Sequence, residues 1–417
     1  MLSRRAVRSL IAVSAMSIVS LASGCGIASS DGAQVSAQSV TDVPQTAVKD
    51  QSIGNCWTYA TTSWVESLAK ISTKKDMNLS ESYVSYWYWY QQVTDPSFAG
   101  GGIVEGGSWG VAVELIRKWG MMDEGAFIPE EADAILSNRQ ASAVKAMNAS
   151  LATGALATAE ARGNKALVRT ELNKAWGLSD AVVANLDKAF GADGAKTLDT
   201  NVVPDGVPIY AAKSLPAKLQ NPMTKVLEDH TLADAIGTPE FEWNPDYRTG
   251  KYAWAVAQYP TSDKDRRDFQ KRVQRALNDN QPVVVSWYVD FNALNASGQF
   301  AKPPEKPGSQ GGHMTVIMDY QVTNVPGFGT LPAGVLETRP EALAAALDDA
   351  ATIEFFRIKN SWGNYHSVPS TIGYHDLFMT YLNGPIQECA TDANEEPLLD
   401  QCHPGVPLQD VVLPAGY

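Results

Sequence analysis

Histidine and cysteine are the scarce residues in this chain of 417: five of the first and four of the second. So few cysteines rule out a disulfide scaffold. No two histidines share a helical face, and Cys389 and Cys402 lack a metal-ligand spacing, so neither a metal site nor a cofactor is expected. Positive charge is also short, with 33 Lys and Arg against 46 Asp and Glu and a net charge of −13. That balance argues against nucleic acid or anionic lipid headgroups as the main partner. No repeat is visible. The glycine-rich "GGGIVEGG" has no Lys-Ser/Thr ending and is not set between a strand and a helix, so it is not a phosphate loop. After Ala22 no run is long and apolar enough to span a bilayer.

What the N-terminus does contain is Arg4, Arg5 and Arg8, then an apolar stretch from Leu10 to Ala22 and small residues before Cys25. Residues 1–25 therefore read as an export signal. "LASGC" resembles the bacterial lipoprotein box, which makes Cys25 a lipidation candidate and implies a membrane tether; ordinary cleavage and secretion is the alternative. Residues 26–44 are rich in Ser, Ala, Gln and Gly and read as a flexible linker. Export to an oxidising compartment sorts the other cysteines. Cys389 and Cys402 are expected to pair, closing a short loop worth about 3 kcal/mol. Cys56 has no partner left and reads as a reactive thiol.

After Cys56, Trp57, Ala60, Trp64, Leu68 and Ile71 recur at three and four, so Cys56 stands at a helix N-terminus. A second helix is expected behind Ser80, a third over 111–119 up to Gly120, and an Ala-rich helical segment over about 129–200. From Tyr247 the periods shorten. "GKYAWAVAQYP", "QPVVVSWYVDF", "HMTVIMDYQV", "TIEFFRIKN" and "GYHDLFMTYL" read as strands and 262–278 as a charged helix. Helices first and a largely antiparallel sheet second make an α+β fold. Residues 386–417 read as a tail.

A cysteine nucleophile needs a lowered pKa, a base and oxyanion donors. A helix N-terminus helps with the first. For the base, His230, His366, His375 and His403 read as loop, tail or charged-segment residues. His313, behind two glycines at the start of a buried strand, is the candidate. "FRIKNSWGN" ends a strand at Asn360, whose amide can orient an imidazole, with Trp362 as its shield from water.

Taken in order, Gln51, "GNCW" at Cys56, "EGGSW" at Gly106 and Gly107, "GGH" at His313 and "KNSWG" at Asn360 resemble the papain-like cysteine peptidases, over about Val43 to Leu382. The resemblance implies a two-lobed fold, helical and β, over 45–385, with the active site in the cleft. It implies Cys56 as nucleophile, His313 as general base and acid, Asn360 as its orienter, and Gln51 with the Cys56 N–H as oxyanion hole. Gly106 and Gly107 would bind an extended substrate backbone. The expected reaction is peptide-bond hydrolysis through a thioester acyl-enzyme, on a peptide or protein substrate. Non-peptide amide hydrolysis or transpeptidation on the same triad is the first alternative, and a catalytically silent surface binding protein the second. The oligomeric state is not legible.

The chain departs from that family's pattern. Gln51 is one residue closer to the cysteine, and Ile53 replaces a cysteine common in secreted members, as in the bleomycin-hydrolase branch. The short stretch before residue 45 is too small for the inhibitory pro-segment of secreted members. Either the helical segment at 129–200 or the tail after Cys389 is then expected to restrict the cleft, or both are surface decoration.

Overall fold

A computed structural model describes residues 43–241, 243–391 and 397–417. The export signal, Cys25 and nearly all of the linker lie outside the described residues. The helices open the chain. Helix α1 (Cys56–Thr73) is followed by α2 (Glu81–Thr94), whose cap Ser80 accepts a hydrogen bond from the Tyr83 N–H. Helix α3 (Trp109–Trp119) is capped by Ser108 and stops at Gly120, where a φ of 72° suits only glycine.

The Ala-rich segment is helical, with α4 (Asn138–Thr153), α5 (Lys165–Ala175) and α6 (Asp180–Phe190) its longest helices. It is not surface decoration. Leu151, Leu172, Trp176, Leu186 and Phe190 are buried in one core with Trp57, Trp87 and Trp119 from the first three helices. The Trp176 ring lies 4.9 Å from Trp89, and Phe190 lies 5.0 Å from Trp87. Its apolar positions are few but placed at helical spacing, and that stripe needs a partner to cover it.

A hairpin of β1 (Thr238–Phe241) and β2 (Asn244–Thr249) leads into the main sheet. Its strands are β3 (Ala255–Gln258), β4 (Val283–Asp290), β5 (Gln310–Val325), β6 (Thr352–Lys359), β7 (Tyr374–Phe378) and β8 (Leu408–Leu413). Across the sheet these six run β3-β8-β4-β5-β6-β7, each pair antiparallel, and the short edge strand Gln299–Phe300 adds to β7 in parallel. Helix α7 (Asp263–Asn278) connects β3 to β4 across the slot that β8 fills.

The segment read as a tail is therefore structural: its last strand sits inside the sheet. Ahead of it, 386–391 and 397–405 form a two-stranded ladder joined by the Cys389–Cys402 disulfide. The first expected strand is shorter than its pattern, because Trp254 turns into the helical core instead of joining the sheet.

Alternation along the strands splits the sheet between two cores. Val283, Val285, Trp287 and Val289 of β4, with Val411 and Leu413 of β8, pack beneath α7. Val284, Val316 and Val412 face the other way, into the helical core. The helical and β lobes thus meet on one sheet face, and α1 packs against β5 there.

Candidate active site

Cys56 is the first residue of α1. Asn55 before it is buried, and its Nδ2 reaches Ser85 Oγ at 3.1 Å and Gln140 Oε1 at 3.3 Å, so the helix start is held from α2 and α4. The thiol lies against three backbone N–H groups, those of Met314, Trp57 and Cys56 itself. Met314 follows His313 on β5, so the strand that carries the imidazole touches the thiol. Burial pushes the Cys56 thiol up to about 11 and the three N–H donors pull against it.

His313 is buried, stacked on Trp362 at 4.6 Å and edge-on to Trp287 at 5.5 Å. Burial lowers it to about 4, against the opposing hydrogen bond that it donates to Asn360. Both shifts favour the neutral forms of these two side chains.

The hydrogen bonds around His313 decide which nitrogen can act as a base. His375 Nε2 lies 3.1 Å from the Tyr365 carbonyl, which can only accept, so the proton of His375 is on Nε2. His375 Nδ1 is then an acceptor and takes the Asn360 Nδ2–H at 3.2 Å. That fixes the Asn360 amide with Oδ1 turned to His313 Nε2 at 2.7 Å, where it also accepts from the Ser361 N–H at 2.8 Å. His313 must donate from Nε2, which leaves Nδ1 with a free lone pair.

His375 is not a loop residue, as its sequence context suggested. It is fully buried on β7, opposite Ile358 of β6. The signal that finds it is register: β6 ends at Lys359, next to Asn360, and β7 brings His375 alongside.

Gln51 stands across from Asn360. Its N–H donates to the Ser361 carbonyl at 2.8 Å, its Oε1 accepts from Ser361 Oγ at 2.6 Å, and its Nε2 donates to Ile53 O at 3.0 Å. One Nε2 proton is thereby taken and the other is left.

The glycine pair is clamped from α1 and α2. Trp57 Nε1 donates to Glu105 O at 2.8 Å and Tyr88 OH to Gly106 O at 2.7 Å. A Cβ on Gly107 would come 2.6 Å from the Trp57 ring, whereas one on Gly106 would meet nothing within 4 Å. Gly107 is thus set by packing, and the open backbone is at Gly106.

Behind Asn360 the lobes share buried charges. Lys49 Nζ reaches Glu81 at 2.8 Å, Lys359 Nζ donates to Thr46 Oγ1 at 2.9 Å, and Thr46 Oγ1 bonds Glu66. Burial works against the charge on Lys49, but Glu81, Glu66 and Glu124 hold its pKa above the usual lysine value. Lys359, one residue before Asn360, is lowered by burial to about 8.

No family model matches the chain, and no curated protein does. Solved structures do. Bromelain protease from Ananas comosus, in complex with the E64 inhibitor, is 14% identical over 89% of this chain and 94% of that one, with a TM-score of 0.31. Xylellain, a cysteine protease from Xylella fastidiosa, is 14% identical over 90% and 85%, with a TM-score of 0.34. The clostridial cysteine protease Cwp84 is 11% identical over 88% of this chain and 54% of that one, at 0.33. At these scores the likeness assigns no function, which has to come from the site itself.

Proposed function

We propose that the chain is an exported cysteine peptidase of papain-like type, with Cys56 as nucleophile and His313 as its base. The observation that carries this reading is the relay from the Tyr365 carbonyl through His375 and Asn360, which leaves His313 Nδ1 as the bare nitrogen. The thiol gives its proton to Nδ1 as Sγ attacks a peptide carbonyl. The negative oxygen is met by the Cys56 N–H and the remaining Nε2 proton of Gln51. His313 then protonates the leaving amine, and water releases the acyl group from the thioester. A pair whose neutral forms are favoured ionises only as the reaction proceeds, and an amide suffices as orienter because thiolate and imidazolium balance each other. The stacked Trp362 excludes water from that ion pair, and Gly106 takes the substrate backbone. Cys25 as a lipid-bearing residue holds the enzyme at the cell envelope in this reading.

The test is labelling with an epoxide thiol reagent that needs an activated cysteine, followed by peptide mass mapping. Stoichiometric modification of Cys56, lost in His313→Ala, is the expected result. A wild-type protein that melts cooperatively yet takes up no label would overturn the assignment.

A further inference from the structure

Beside the candidate nucleophile is a cavity of about 240 Å³, in the angle between α3, the β1–β2 hairpin and the helical-lobe face of the sheet. Its position follows from strand register. Val412 of β8 stands opposite Val256 of β3 and Val284 of β4, an apolar rung that closes the helical core. Two residues along on the same face, Asp410 stands opposite Gln258 and Ser286, and Ser286 stands opposite Met314. The rung that lines the cavity is therefore polar, and it ends at the residue whose N–H touches the Cys56 thiol.

The opposite wall brings a second carboxylate. Asp246 of β2 accepts from Ser108 Oγ at 2.9 Å and from the Gly110 N–H at 2.8 Å, both on Oδ1. A Cβ on Gly110 would collide with this carboxylate, which explains a glycine inside α3. Asp410 takes hydrogen bonds from Ser286 and Gln258, and burial, with Asp246 nearby, raises it above the usual carboxylate range. No Lys, Arg or His is among the residues that line this cavity. Arg248 approaches Asp246, but four of its five N–H groups go to Glu114 and to the carbonyls of Ile236, Gly237 and Pro245. Tyr247 forms the mouth, and its ring belongs to an aromatic set with Phe241 and Trp243, the last 76% exposed.

Two carboxylates with no cationic side chain among the described residues of the cavity wall, apolar side walls and an aromatic rim are what a long side chain with a planar positive head would fill. We propose that this cavity receives an arginine or lysine side chain of the substrate, beside the scissile bond, and makes the enzyme selective for cationic peptides. This rests on the peptidase reading, and the test separates the two. Fluorogenic peptide amides differing only by Arg, Lys, Leu or Glu at each position flanking the bond are compared by kcat/KM.

At one position Arg should exceed Leu at least tenfold, and Asp410→Asn should cut that ratio at least tenfold. A ratio near one in the wild type, or one that survives the substitution, overturns the proposal and leaves the peptidase standing. If no peptide is turned over, calorimetric binding of the same peptides to Cys56→Ala decides. Tighter binding of the arginyl peptide, lost in Cys56→Ala/Asp410→Asn, upholds the cavity while the peptidase reading falls. Equal binding of arginyl and leucyl peptides overturns it.

Discussion

In the proposed mechanism His313 acts through the nitrogen its neighbours leave bare, so a residue that does not meet substrate would help to set the chemistry. His375→Phe keeps a ring but removes the acceptor for Asn360 Nδ2. A hydrogen bond of this kind is worth about 1 kcal/mol, so kcat/KM should fall roughly five- to tenfold. His375→Gln, which can accept, should recover part of the loss, and equal loss in both would make His375 a filler only. The two buried histidines also tie stability to acid. Each is held near 4 in the fold, His313 and His375 both by burial. The unfolded chain takes up those protons near pH 6.5, so it binds more protons than the fold between about 6.5 and 4. Stability is whole above that window and drains away as pH falls through it, by at most about 1.4 kcal/mol per pH unit for each histidine. Urea unfolding at a series of pH values should show this slope, and His375→Gln should flatten it. Cys56, His313 and Asn360 were legible as candidates because each sits in a telling local context. His375 and Asp410 were not, since their neighbours come from strands distant in sequence.

Among the elements, the caps were plain to read. Ser80 and Gly120 mark the start of α2 and the end of α3 through a local hydrogen bond and backbone freedom, which the sequence states directly, whereas α3 starts two residues earlier than expected, behind Ser108. The role of α4 to α6 was hidden, because a sparse apolar stripe says that a helix is covered but not by what. Their burial makes a definite expectation. Trp176→Ala should cost about 3–5 kcal/mol, as loss of a fully buried aromatic does elsewhere. Replacing Glu131 to Asp199 by a short linker should yield no cooperative thermal transition, where removal of a true lid would leave melting intact and raise activity on folded substrates. The α4 contact to Asn55 carries that damage to the candidate nucleophile, since Gln140 holds the residue before Cys56.

Over the whole molecule, acidic residues outnumber basic ones by 46 to 33, and the proposed specificity cavity repeats that sign. Encounter with cationic peptides should then be assisted at long range and screened by salt, since the Debye length shrinks to about 10 Å at 0.1 M. Raising sodium chloride tenfold should lower kcat/KM for arginyl peptides several-fold with kcat nearly constant. The α+β order of helices then sheet was legible from periodicity alone. The place of β8 was not: "LQDVVL" looks like one more short apolar run near a proline, and only long-range pairing shows that it completes the sheet.

That pairing has a consequence for biogenesis. Strand β8 comes last among the strands yet occupies a slot between β3 and β4, which are made some 120 to 160 residues earlier. A nascent chain can carry the thiol, the imidazole and the amide and still lack the strand that supplies Asp410. If the cavity sets selectivity as proposed, that property waits on the last strand of the chain.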